Sequence, residues 1–484
     1  MAHTRRQFLV HTGCGALSAS ALLSVLGRFA LIDALAQSIP PADYKALVCV
    51  FLFGGNDANN VVIPHTNYFE SGGYNAIRGG ATFAVPQADL LQINPPSTPG
   101  LTFGLHPRLG DFYTASDGTT DPSLKALWDQ QKVAIVCNTG PLVRPFPSRN
   151  DYLQGLVPKP YQLFSHSDQQ NLWQTSYATG PRQTGWGGST VDRTGGSGTS
   201  FPAITSMAGV TVFSTGLNTR PLVLSPAPTP LNATLKLFNP ATHSDDPNDA
   251  LMAALASDHG PDPISALING AADITSKALQ ASAALTGNPA LVTKFPPTSL
   301  GNQLFQVAKL ISLASTLGVR RQVFFVSMGG FDTHTSQGAF NNANAGQPAL
   351  LSQLSQAIGA FYNATVELGA ANDVTLFTSS DFSRTFVPGG DGTGTDHAWG
   401  SHQFVVGGAV RGGEFYGQYP PLVVGDQRDT DSGGNARGRW IPTTAVDQYA
   451  ATLANWYGPL SASDQALVFP NLGNFSTPNL GFMG

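Results

Sequence analysis

The chain has 484 residues, a formal net charge of −5, 42% hydrophobic residues and only 11% charged ones. That is enough apolar material for a sizeable core in one large domain or two ordinary ones, which excludes an intrinsically disordered chain. The slightly acidic balance and the lack of a basic run argue against a nucleic-acid partner.

From the N-terminus, Thr4-Arg5-Arg6-Gln7-Phe8-Leu9 reads as a twin-arginine export signal. An apolar stretch from about Gly13 to Leu31 follows, and Ala34-Leu35-Ala36 supplies a small-x-small cleavage site. Arg28 and the cleavage site favour a removed leader over a stable membrane anchor. Residues 1–36 are therefore expected to leave the mature protein, which is expected to be periplasmic or secreted. The twin-arginine translocase is then a partner during export. Because that route carries folded proteins, it raises the expectation of a bound ion.

Five apolar runs without polar alternation follow: Ala46 to Phe53, Lys132 to Cys137, Gln322 to Val326, Asp373 to Thr378 and Phe404 to Val406. Such runs suit strands covered on both faces, as in a parallel sheet. Cys49 and Cys137 lie inside two of them and are expected to be buried free thiols. Helical spacing appears at Leu300, Leu304, Val307 and Ala314 with a stop at Gly318, and at Leu351, Leu354, Ile358, Phe361 and Leu368 with a stop at Gly369. A third helix is expected over Ala445 to Tyr457, with Thr444 and Asp447 as a capping pair. Strands alternating with helices indicate an α/β sandwich. The stretch from about 187 to 298 is rich in Ser, Thr, Gly and Pro, with β-like pieces such as Gly209 to Phe213, and reads as an insert or cap on a 37–484 domain.

Polar and ionisable groups recur where these runs end. Asp57 follows the first run, Asp332 and His334 the third, and Asp381 the fourth; His397 and His402 flank Trp399 just before the fifth. Ligands bind outside the carboxyl ends of strands in open α/β sheets, so distant segments can converge there. Only three of the 30 acidic residues are Glu, and Asp is the carboxylate suited to short-armed coordination from loops. Three Asp and three His match the ligand types of one or two divalent ions, zinc first, with manganese, magnesium or calcium as alternatives. Each piece alone has an ordinary structural reading: an Asx turn at Asp57, an N-cap at Asp381, packed core rings at His397 and His402. Ser165-His166-Ser167 enters a helix, where Ser165 is either an N-cap or a hydroxyl nucleophile. Arg384 could steer an anionic substrate or pair a loop carboxylate.

Taken together, Phe53-Gly54-Gly55-Asn56-Asp57, Ser165-His166, Gly185-Trp186, Gly329-Gly330-Phe331-Asp332-Thr333-His334, Ser380-Asp381-Phe382-Ser383-Arg384-Thr385 and Gly394-Thr395-Asp396-His397 resemble an uncharacterised family of twin-arginine-exported bacterial proteins. That family is grouped with the alkaline phosphatase and sulfatase superfamily. The resemblance implies a three-layer sandwich, a mostly parallel central sheet with helices on both faces and a loop-rich insert. It implies a two-ion site in which Asp57 and Asp381 serve one ion, and Asp332, His334 and His397 or His402 the other. Ser165 would be the attacking hydroxyl, and His166 or His402 an acid, a base or a replacement ligand. The implied activity is an exported metal-dependent hydrolase of phosphate or sulfate esters, on a small or polymer-linked anionic substrate. The alternative is a non-catalytic protein that keeps the fold and a structural ion and binds a surface polymer or partner. The chain departs from the superfamily in the two-residue spacing of Asp332 and His334, in Phe382 where a His often follows the later Asp, and in lacking a Cys/Ser-x-Pro-x-Arg stretch at either mature cysteine.

Overall fold

A computed structural model describes residues 43–196, 201–234, 281, 284, 285 and 287–484. The expected leader and part of the expected insert, chiefly 235–280, lie outside the described residues. Residues 43–229 and 290–484 belong to one compact unit; the described residues between 230 and 289 belong to a second, which holds the 3-10 turn Leu231–Ala233. Among the described residues no helix is long and apolar enough to cross a membrane.

In chain order the strands are β1 (Lys45–Leu52), β2 (Val62–Pro64), β3 (Leu91–Ile93), β4 (Phe103–Leu105), β5 (Val133–Gly140), β6 (Ile204–Ser206), β7 (Leu222–Val223), β8 (Arg321–Met328), β9 (Val374–Ser380), β10 (Ser401–Gly407), β11 (Glu414–Tyr416) and β12 (Thr444–Ala445). The main sheet runs β11-β5-β10-β9-β1-β8-β6-β7, with β12 also on β5, while β2, β4 and β3 form a small antiparallel sheet. Among the described residues β10 alone runs antiparallel to its main-sheet neighbours. In register, Leu52 of β1 sits beside Met328 of β8 and Ser380 of β9, so three carboxyl ends finish level. Reversal of β10 brings its start, not its end, to that same edge.

The apolar runs are buried on both faces, as their lack of alternation requires. Leu47, Cys49 and Phe51 of β1 join Phe325, Phe377, Trp186, Phe213 and Tyr449 in one cluster. On the opposite face, Leu376 and Val406 lie against Ile358 and Phe361 of the helix Gly346–Glu367. The result is a three-layer α/β sandwich with a mixed, mostly parallel sheet. Cys49 and Cys137 are free and buried. Two strands, β10 and β9, separate β5 from β1, and sheet spacing of about 4.8 Å per strand puts these thiols beyond disulfide reach.

Two local details differ from the sequence reading. Gly209 to Phe213 is not a strand: the Ser214 hydroxyl donates to Thr211 O at 2.9 Å, and Thr215 Oγ1 does the same. These short-range bonds capture the backbone as a turn, and sheet pairing falls instead to β6, parallel to β8. The helix Val446–Tyr457 is capped by Gln448, whose side chain accepts from Ala445 N at 2.8 Å. Asp447 turns inward and accepts from Asn471 N.

Candidate metal centre

Backbone ties bring three separate segments to the carboxyl edge of the sheet. The loop after β8 is zipped to the loop before β10 by Gln337 N to Thr393 O at 2.9 Å and Thr395 N to Thr333 O at 3.0 Å. That zipper faces His334 toward His397. The fit is tight at Gly394, where a Cβ would stand 2.2 Å from His334 O. Helix His166–Thr175 supplies the third segment, with Ser165 at its N-cap. The turn after β1 closes the floor: Gly54 has φ +113°, and a Cβ there would stand 2.3 Å from Asp332 N.

One ligand atom each from His166, Asp332, His334 and His397 lies within 4.8 Å of the others. Asp332 Oδ1 is 3.2 Å from His334 Nε2, 3.4 Å from His166 Nε2 and 3.8 Å from His397 Nε2, and the latter two rings are 29% and 21% exposed. His334 Nε2 and His397 Nε2 are 2.8 Å apart. The proton positions follow from the partners. His397 Nδ1 donates to Phe164 O at 2.8 Å, a carbonyl that can only accept, so its Nε2 lone pair points into the cluster. His166 Nδ1 pairs with Asp381 Oδ2 at 2.7 Å, which leaves Nε2 as the inward nitrogen. His166 Nε2 is buried without a hydrogen-bond partner. An orphaned inward nitrogen with its outer nitrogen held by a carboxylate is the arrangement of a metal-ligating imidazole. Three imidazoles and one carboxylate suit zinc or a related divalent ion.

The surrounding groups set the electrostatics. The Asp381 hydrogen bond lifts the His166 pKa above its ordinary value against burial, which lowers it. Burial lowers His397. Burial would raise Asp332, but the Arg384 hydrogen bond and charge outweigh it and hold the carboxyl below its usual range. Phe382 packs its ring 4.8 Å from that of His166 and 4.7 Å from that of His397. It is an apolar floor under two ligand candidates.

The other sequence candidates fall elsewhere. Asp57 is fully buried in a two-point pair with Arg78, Nη1 to Oδ2 at 2.8 Å and Nη2 to Oδ1 at 3.1 Å, and it also accepts from Gln337 Nε2 at 2.6 Å. Arg78 spends its remaining donors on Asn60 Oδ1, Thr385 O and Phe386 O, so all five are satisfied. The cation beside Asp57 is thus a guanidinium. Asp381 stands behind His166 rather than in the cluster, held by Gln170 Nε2 at 2.8 Å and Gly54 N at 3.2 Å. Arg384 is buried and braces Asp332 Oδ1 at 2.9 Å, with Gly54 O and Thr395 O on its other donors. His402 is in the core: Nδ1 accepts from Asn138 N, the ring stacks on Tyr419, and burial pushes its pKa down to about 3. Ser165 directs its hydroxyl to Asp168 Oδ2 at 2.6 Å.

Several supporting residues were not singled out from sequence. Gln170 lies one helical turn after His166, a spacing that could have suggested a shared partner. Arg78, at the end of the short helix Tyr74–Arg78, and Gln337, in the loop after β8, carry no such signal, because neither has a fixed sequence spacing to Asp57. Arg439 donates to His397 O at 2.7 Å and to Asp396 Oδ2 at 3.1 Å, so it ties the loop that carries His397.

Comparison with solved structures finds low overall similarity to the PsFucS1 sulfatase from Pseudoalteromonas sp., with 10% identity, a TM-score of 0.29 and coverage of 82% of this chain and 68% of that one. Ps i-CgsB in complex with k-i-k-neocarrahexaose gives 10% identity, a TM-score of 0.33 and coverage of 91% and 78%. No curated protein matches the chain. Residues 44–430 match the family described as "Protein of unknown function (DUF1501)", and the chain belongs to that family.

Proposed function

We propose that the protein is a metal-dependent hydrolase of phosphate or sulfate esters, built on one divalent ion, zinc first, held by His166, Asp332, His334 and His397. The carrying observation is a ligand cluster that stays open on one side: the Asp332 and His334 side chains are 48% and 47% exposed. Structural ions sit in closed sites, whereas catalytic ions keep a position for water or substrate. A bound divalent ion would supply Lewis acidity and lower the pKa of a water.

The chain's own residues do the rest. Asp381 and Phe164 O hold the protons of His166 and His397 on the outer nitrogens, so both rings present lone pairs. Arg384 fixes Asp332 from below. With a divalent ion and Arg384 set against Asp332 and Asp381, the local charge is positive and favours an anion. Phe382 excludes water from beneath the rings. Ser165, next to His166 in the chain and hydrogen-bonded to Asp168 Oδ2 at 2.6 Å, is proposed as the hydroxyl nucleophile. Since Arg78 neutralises Asp57, one ion is proposed rather than two. Export in folded form by the twin-arginine route to the periplasm or beyond is part of the same reading and rests on Thr4 to Leu9.

Metal-loaded protein should turn over at least one member of a panel of aryl phosphate mono- and diesters and aryl sulfates, and Ser165→Ala should abolish that turnover. Absence of turnover above background in protein that holds its ion would reject the hydrolase and leave a metal-stabilised binding protein.

A further inference from the structure

Beside the cluster, at the ends of β6 and β8, lies a cavity of about 320 Å³ lined by Met207, Ala208, Ser299, Met328, Leu350 and Gln353, among others. We propose that this cavity is a subsite for an uncharged, ring-sized organic group with a hydrogen-bonding substituent, the alcohol side of the ester. In naming the ester, the inference rests on the hydrolase reading above.

Three observations carry it. The first is continuity with the cluster. Gly329 lines the cavity and precedes Asp332 by three residues, a stretch that spans at most about 11 Å. A Cβ on Gly330, in the same link, would stand 3.4 Å from Leu350 Cδ1, so the cavity wall touches the loop that bears Asp332. The second is charge. None of the lining residues is ionisable, while the neighbouring cluster combines Asp332, Arg384 and three imidazoles. A substrate with an anionic end and a neutral end would divide between the two. The third is the distribution of polar groups. Gln303 is committed to the backbone of β8, donating to Ser327 O and accepting from Ser327 N, both at 2.9 Å. Gln353 shows no such commitment among the described residues and is half-buried at the wall. It is the amide available to a ligand. The volume is at the small end of the range for organic ligands, about 300 to 1,000 Å³. Thioethers at Met207 and Met328 favour a ring.

The test uses 4-fluorophenol, neutral at pH 7, followed by ¹⁹F NMR on the whole protein. Saturable binding is expected in the wild type and in Asp332→Ala. Leu350→Trp, which fills the cavity from a half-buried position, should weaken binding at least tenfold while melting temperature and metal content hold. Ala208→Leu narrows the wall at the end of β6 and should weaken it as well, which guards against a folding failure in the first variant. Lack of saturable binding in the wild type, or wild-type affinity in both wall variants, would overturn the subsite. Binding that survives Asp332→Ala in a protein without ester turnover would retain the cavity site and remove only its assignment to a hydrolase.

Discussion

On a single oxygen, Asp381 Oδ2, two groups meet: the His166 ring at 2.7 Å and the Gln170 amide at 2.8 Å. Carboxylate partners of metal-bound imidazoles are typically worth ten- to a hundred-fold in metal affinity. Asp381→Asn should therefore weaken metal binding by that factor in a chelator competition while the circular dichroism spectrum is preserved. Unchanged affinity would mean that Asp381 does not orient the ring. Gly54 gives a second test at this scale. A methyl group there meets Asp332 N, and φ +113° is strained for any side chain. Gly54→Ala should cost at least 1–3 kcal/mol in denaturant unfolding, and metal affinity should fall with it. Asp332, His334 and His397 were legible because each sits beside an apolar run, whereas His166 was reached only through the helix entry at Ser165-His166-Ser167. The role of Asp57 was not. Its partner Arg78 is reached through a buried side-chain network, and nothing in Phe53-Gly54-Gly55-Asn56-Asp57 distinguishes a carboxylate facing an ion from one facing a guanidinium.

At the scale of elements, strand direction decides which flanking residues reach the site. Parallel β1, β8 and β9 deliver the residues after them, whereas antiparallel β10 delivers the residues before it, which is why His397 precedes its strand. The strand runs were readable within a few residues because burial on both faces leaves a continuous apolar signature. The turn at 211–214 was not, since side-chain bonds within four residues override β propensity there. The helix Val446–Tyr457 carries a titration of its own. Burial raises the Asp447 pKa to about 7, against about 3.9 in an unfolded chain. Between those values the folded state binds more protons than the unfolded one, so this group makes stability fall as pH rises from about 4 to 7. Asp447→Asn should remove that loss, with the largest relative gain above pH 7 in urea unfolding; an equal effect at pH 4 and pH 8 would refute the assignment.

Across the whole molecule, His106 and His402 oppose that trend. Both are buried, which lowers each pKa to about 3 from an ordinary value near 6.5. Between about 3 and 6.5 the unfolded chain binds more protons, so stability rises with pH and is lost as pH falls through that window. Two such groups outweigh Asp447, so stability should climb from pH 4 to 6.5 and level near 7. His402→Gln should flatten the acid limb; an unaltered limb would show that His402 does not govern it. The architecture that buries these groups also places the open cluster at the sheet edge, and that cluster is the central claim. Elemental analysis of protein purified without added metal, alongside Asp332→Ala, tests it most directly. One equivalent of a divalent ion in the wild type, lost in the variant, is the predicted result. No bound ion in either, or an ion retained in full by Asp332→Ala, would contradict it.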